Sequence, residues 1–154
     1  MSGINVKRWL AGGAIAGIVF FILEGVLSML TVERMTQALQ EHGMSMNMDD
    51  PVLMLWALVL SLLAGLALVF FYAAARPRFG PGVRTAVIVA VALFCGSYLP
   101  GLIGYHMIGL YPDQLLVIWG VQGLIAMIVA SVIGAWIYRE EAVRTGVGGA
   151  TAAR

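Results

Sequence analysis

The chain has 154 residues, of which 61% are hydrophobic and 11% are charged, and its formal net charge at pH 7 is +1. Its few basic residues are scattered over short segments, which excludes the basic domain expected of a nucleic-acid-binding protein. Cys95 is the single cysteine, so an intramolecular disulfide and a multi-cysteine metal site are also excluded.

Four apolar segments follow one another along the chain. Each is long enough, as a helix, to cross a hydrocarbon core of about 30 Å. The segments cover residues 9–30, 51–75, 85–108 and 114–138. The residues beyond Glu141 are rich in glycine and alanine and are expected to form a flexible tail (142–154). The sequence therefore predicts one all-α membrane domain, an antiparallel four-helix bundle.

Basic residues set the direction of the segments. Every Lys and Arg except Arg34 precedes the first segment, lies between the second and third, or follows the fourth. The positive-inside rule assigns these positions to the cytoplasm. Both termini are accordingly predicted to be cytoplasmic, and the 31–50 connection is predicted to lie on the opposite side.

Small residues predict how the helices pack. On the first helix Gly13, Gly17, Glu24 and Ser28 share one narrow stripe, and the Gly13/Gly17 spacing lets helix backbones approach closely. Phe20 is expected to face lipid. Comparable stripes on the other three helices contain Ala57, Ser61 and Ala64; Ala86, Ala90, Ser97, Gly101 and Gly104; and Gly120, Gly123, Ala130 and Gly134.

Polar residues gather at one depth, in the half of the bundle away from the cytoplasm. Glu24 lies about 9 Å from the outer end of its segment at 1.5 Å per residue, and Pro100 interrupts the third segment nearby. These positions predict a polar pocket that opens outward. Its predicted ligand-binding residues are Glu24, Ser61, Tyr98, Gln122 and His106. Hydrogen bonding to another helix is the alternative role for Ser61 and for Gln122, which could also bond to a second copy of the protein. Approach to the outer interface is the alternative for Tyr98.

Glu24 is the one full charge inside a segment. An ionised carboxylate within a bilayer costs several kcal/mol unless it is paired, hydrated or protonated, and no Lys or Arg lies in any segment to pair with it. Binding of a proton, a cation or an amine is the chemistry that suits a lone acid.

The outer connection contains a second candidate site. An imidazole and alternating thioethers suit a soft ion such as Cu(I). The predicted metal ligands are His42, Met44, Met46 and Met48. The methionines have an alternative role, which is to dock on the membrane surface.

The inner connection between the second and third segments is basic. Arg76, Arg78 and Arg84 are expected to contact anionic lipid headgroups or a cytoplasmic partner. Tyr72, the Arg-Pro-Arg-Phe-Gly-Pro-Gly string 76–82 and the Thr-Ala pair 85–86 form a pattern. It resembles a pattern of uncharacterised small four-span bacterial membrane proteins. The resemblance covers chiefly this connection, with the early glycines and Glu24. It implies a bacterial inner-membrane location and no particular activity.

No motif of an enzyme is found. The sequence has no Walker-type loop and no HExxH motif, and it has no nucleophile and base at a spacing that would bring them together. The favoured function is a non-catalytic accessory or structural subunit that associates with lipids, with itself or with a larger membrane complex. The alternative is a small-solute or proton-linked carrier or binding protein with a pocket centred on Glu24. An extracytoplasmic Cu(I)-binding protein ranks below both. Four helices are few for an alternating-access transporter, which favours the accessory subunit.

Overall fold

The computed structural model describes residues 4–47 and 50–138, and no β-strand occurs among them. The helices are α1 (Val6–Glu41), α2 (Pro51–Phe79), α3 (Val83–Leu93), α4 (Leu99–Met107) and α5 (Asp113–Ile137). A π-helical turn, Phe94–Tyr98, joins α3 to α4, so that Val83–Met107 forms one long helix. Four helices are therefore long and apolar enough to cross a membrane, which confirms the prediction of an all-helical chain with four such segments.

Two helix starts follow from their capping residues. The Asn5 side chain accepts a hydrogen bond from the Arg8 N–H at 3.2 Å, and the Asp50 carboxylate accepts one from the Val52 N–H at 2.9 Å. Pro51 occupies the first turn of α2, where its missing N–H costs nothing. The cap and the first-turn proline together set the start of α2 at Pro51.

The α2–α3 turn is held by side chains on both flanks. Gly80 and Gly82 have φ values of 82° and 127°, which other residues rarely adopt. The Gly82 N–H donates to the Tyr72 hydroxyl at 3.1 Å, and the Thr85 hydroxyl donates to the Gly80 carbonyl at 2.7 Å. Tyr72 and Thr85, two residues of the sequence pattern at this turn, thus have a structural explanation. We call this end of the molecule, which also carries Asn5 and Tyr138, the inner end, and the opposite end the outer end.

α1 is much longer than the predicted segment, which ended at residue 30, because the helix continues to Glu41. The added turns bury Thr31, Met35 and Leu39, and Met35 and Leu39 form an apolar cluster with Leu115. The Trp119 indole N–H also donates to the Thr31 hydroxyl at 3.1 Å. Packing against α5 therefore extends α1 beyond its apolar run.

In the inner half, α1 and α2 are in backbone contact. A Cβ added at Gly17 would lie 2.6 Å from the Leu62 Cα, and one added at Gly13 would lie 2.8 Å from the Leu66 Cα. A Cβ at Gly65 would meet the backbone of Gly13 and Gly17. The predicted Gly13/Gly17 stripe is therefore an internal helix–helix contact.

α5 closes the other side of α1. A Cβ at Gly12 would lie 2.9 Å from the Gly134 carbonyl oxygen. The two helices are antiparallel, because Gly12 lies beside Gly134 whereas Thr31 bonds to Trp119 at the other end.

Two of the packing predictions are wrong. Phe20, expected to face lipid, is buried in the main apolar cluster, because the α1 face that carries it turns toward the bundle. A Cβ at Gly101 or Gly104 would meet nothing within 4 Å. The packing stripe predicted for the third segment therefore ends before α4.

Candidate functional site

A cavity of about 660 Å³ separates α1 from α2 in the outer half of the molecule. Every described lining residue belongs to one of these two helices. The lining consists of Phe21, Glu24, Gly25, Ser28, Met29 and Val32 from α1, and Leu53, Met54, Ala57 and Ser61 from α2. The cavity begins where the close Gly17–Leu62 contact ends, so the tight inner half positions the two walls of the open outer half.

The Glu24 carboxyl joins this cavity to the third long helix. The Tyr98 hydroxyl donates to Glu24 Oε2 at 3.2 Å, and the Tyr98 ring stacks on Phe94 with centroids 5.6 Å apart. Gly123 of α5 makes room for that ring, because a Cβ there would collide with it. Residues on α1, α5 and the π turn thus fix one oxygen of the carboxyl.

The π turn is what places Tyr98. The Leu99 N–H bonds to the Phe94 carbonyl, a five-residue step, and single π turns of this kind often lie at functional sites. Pro100 follows directly and has no N–H to bond to the preceding turn. The predicted interruption near Pro100 is therefore a widened turn just before the proline, within a helix that continues.

Two buried oxygens in this region lack a partner. Among the described residues, nothing hydrogen-bonds to Glu24 Oε1 or to Gln122 Oε1. Buried polar atoms without a partner are rare in folded proteins and commonly indicate a water, an ion or a ligand. Among the residues that line the cavity, Glu24 thus has the buried oxygen with the strongest need of a donor.

The predicted ligand-binding residues do not all come together. Ser61, which is 7% exposed, lines the cavity with Glu24, and Tyr98 reaches the same carboxyl. Gln122 lies on α5 and is not among the described lining residues.

His106 lies apart from the others. Its Nδ1 lies 2.7 Å from Asp113 Oδ1, with the two side chains 63% and 76% exposed. Because His106 is near the outer end of α4, it pairs with the start of α5 and has no part in the cavity.

The cavity also differs in its walls from the predicted pocket, to which all four segments contributed. Neither α4 nor α5 supplies a described lining residue, so α1 and α2 alone form the described walls. Met29 and Met54, which line it, are 76% and 52% exposed, so its rim is apolar.

Sequence reasoning missed most of the apolar lining. Phe21, Gly25, Met29 and Val32 follow one another at helical spacing on α1. This periodicity marks one helix face and could have identified these lining residues from the sequence. Which neighbouring helix would leave this face uncovered cannot be read from spacing.

The residues predicted to bind copper are only partly placed together. His42 Nδ1 lies 2.8 Å from the Ala38 carbonyl oxygen, and Met46 packs against the apolar cluster of Met35, Leu39 and Leu115. Met44 is exposed, and Met48 lies outside the described residues. No group of three or more His, Cys, Asp or Glu residues suited to a metal occurs in 4–47 or 50–138. Copper binding stays a prediction.

The three predicted lipid- or partner-contacting arginines surround the inner turn. Arg76 lines a second cavity of about 410 Å³ with Tyr72, Val83 and Trp136, whereas Arg78 and Arg84 are exposed. Their position is compatible with contact to headgroups, which stays a prediction.

No protein-family model, curated protein or solved structure matches the chain.

Proposed function

We propose that the protein is a non-catalytic integral membrane protein of the bacterial inner membrane, with both termini in the cytoplasm, that binds a small molecule through Glu24 in the outer cavity. The location follows from the four apolar helices, the positive-inside rule and the resemblance of the inner turn. The binding function is the second of the two main functions expected from the sequence.

The unpaired oxygen of Glu24 carries this proposal. Tyr98 satisfies Oε2, whereas Oε1 is buried and has no partner among the described residues. No described Lys or Arg lines the cavity. A carboxylate in an apolar membrane region is costly when it is unpaired, so a bound group that brings a positive charge or an N–H donor would be stabilised there.

The close-packed glycines of α1, α2 and α5 give no support to the accessory subunit. Small-residue stripes can hold a partner helix only when they face outward. Here Gly13, Gly17 and Gly65 bring α1 against α2, and Gly12 and Gly134 bring α1 against α5. These close contacts are already used within the chain.

The proposal is tested with purified protein in lipid nanodiscs, by its melting temperature in the presence of methylammonium, ethylamine or n-decylamine. A ligand that binds only the folded state raises stability, by about 2.7 kcal/mol at a hundred times Kd. At least one amine is expected to raise the melting temperature of the parent. Glu24→Gln should lose this response, because it removes the charge and keeps the side-chain shape.

Glu33→Gln is the matched control, since Glu33 is an exposed acid on the same helix. It should respond as the parent does. If no amine stabilises the parent, or if Glu24→Gln responds fully, the cavity is not an amine site and the proposed function is wrong.

A further inference from the structure

We infer that the ligand of the outer cavity is a lipophilic primary amine, one ammonium group on a hydrocarbon body, that reaches Glu24 from the bilayer. This inference rests on the proposed function and specifies its ligand class. It follows from the number of polar groups in the cavity wall, from the size of the cavity and from the side on which the cavity opens.

The polar groups are too few for a hard metal ion. Ca²⁺ takes six to eight oxygen ligands, and Mg²⁺ requires near-octahedral coordination. The described lining offers one carboxyl and two hydroxyls, from Glu24, Ser28 and Ser61. A bare divalent cation would remain under-coordinated there.

The same groups match a primary ammonium, which has three N–H donors and no acceptor. Glu24 Oε1 has no described partner. Ser28 and Ser61 line the same cavity, and each hydroxyl oxygen can accept a hydrogen bond. The wall thus offers three acceptors, one of them able to carry the compensating charge.

The rest of the lining requires a hydrocarbon body. Apart from Glu24 and the two serines, the wall is formed by glycine and apolar side chains. A volume of about 660 Å³ is far larger than a methylammonium ion needs and lies within the range of about 300–1,000 Å³ usual for small-molecule sites. A small hydrophilic amine would leave most of this apolar surface unfilled.

The opening indicates the route of access. The cavity lies between α1 and α2, and the exposed side chains at its rim, Met29 and Met54, are apolar. In a membrane these side chains would face lipid. An amphiphile dissolved in the bilayer can slide between the helices without its hydrocarbon body entering water.

Gly25 allows the cavity to be filled without disturbing the fold. It lines the cavity, and a Cβ there would meet nothing within 4 Å. Gly25→Leu should therefore occupy the space that the hydrocarbon body needs and leave Glu24 in place. Gly101→Leu is the matched control, because a Cβ at Gly101 also meets nothing within 4 Å and Gly101 lies on a different helix.

The experiment measures binding of n-decylamine, n-decanol and ethylamine to the protein in nanodiscs, with empty nanodiscs subtracted. We expect n-decylamine to bind much more tightly than n-decanol or ethylamine. Glu24→Gln should weaken the binding of n-decylamine by about ten- to a hundredfold, which corresponds to the loss of one charge-assisted hydrogen bond. Gly25→Leu should abolish binding, and Gly101→Leu should bind as the parent does.

Each other result has a defined meaning. If ethylamine binds as tightly as n-decylamine, the proposed function stands and the lipophilic class is wrong. If n-decanol binds as tightly, Glu24 is not the anchor and the inference fails. If Gly25→Leu instead changes the oligomeric state seen by mass photometry, the gap is an interface between copies, and the inference is again wrong. If none of the three compounds binds, both the inference and the proposed function are overturned.

Discussion

At Gly123, α5 comes so close to the π turn that an added Cβ would collide with the ring of Tyr98. That ring cannot simply retreat, because it stacks on Phe94 on one side and its hydroxyl donates to Glu24 at the end. The absence of a side chain at Gly123 of α5 thus leaves room for the Tyr98 ring, whose hydroxyl hydrogen-bonds to Glu24 of α1. Gly123 would be a positioning residue for the site, with no need to touch a ligand.

We expect Gly123→Ala to destabilise the parent by about 1–3 kcal/mol, the usual cost of forcing an extra carbon into a packed site. In a Tyr98→Ala background the same change should cost much less, because the colliding ring is gone. Thermal unfolding of the two single variants and the double variant in nanodiscs gives the coupling free energy. Additive costs would show that Gly123 does not act through Tyr98.

The four long helices could be predicted from the sequence because apolar run length reports directly on them. The extension of α1 could not be predicted in that way, because residues 31–41 mix charged and apolar side chains. One helix face nevertheless carries Thr31, Met35, Ala38 and Leu39, so their helical periodicity could have predicted the extension of α1. The sequence predicted Glu24 and Tyr98 in one pocket, but it did not predict the π turn that sets the position of Tyr98, since a π turn rotates every residue after it relative to an uninterrupted α-helix.

At the scale of the helix pair, α1 and α2 are tight at the inner end and open at the outer end. The tight half depends on Gly13, Gly17 and Gly65, and it is reinforced by the Trp9 indole N–H, which donates to the Leu66 carbonyl at 2.9 Å. The width of the cavity therefore depends on contacts made several turns away.

Gly17→Leu should force α1 and α2 apart and lower stability by a few kcal/mol, because its side chain would overlap the Leu62 backbone. Unfolding of the purified variant by heat or denaturant measures the loss. Gly104→Leu, at a position where a Cβ meets nothing within 4 Å, should unfold like the parent. Equal stability of the two variants would contradict close α1–α2 packing.

At the scale of the whole molecule, the basic residues of the α2–α3 turn and the outer α1–α2 connection lie at opposite ends of the bundle. The proposed orientation puts the turn in the cytoplasm. In a Cys95→Ser background, Ser45→Cys should react with a membrane-impermeant thiol reagent in intact cells, and Phe79→Cys should react only after lysis. Both positions are exposed, so burial would not explain a difference. The reverse pattern would overturn the orientation.

The outer ends of the helices are not level. Gly17 lies beside Leu62, and Thr31 bonds to Trp119. When these two pairings are extended along α1, the start of α2 at Pro51 lies level with about Ser28, and the start of α5 at Asp113 lies level with about Gln37. At 1.5 Å per residue, α2 therefore begins about 13 Å short of α5. α2 has 29 residues and α5 has 25, so α2 is not shorter than α5 but is displaced toward the inner end. In a membrane, the outer leaflet would therefore dip beside the start of α2, a local adjustment of the bilayer to a helix end that lies below its neighbours. This dip adjoins the gap between α1 and α2, so headgroups there would lie nearer to Glu24 than elsewhere around the bundle.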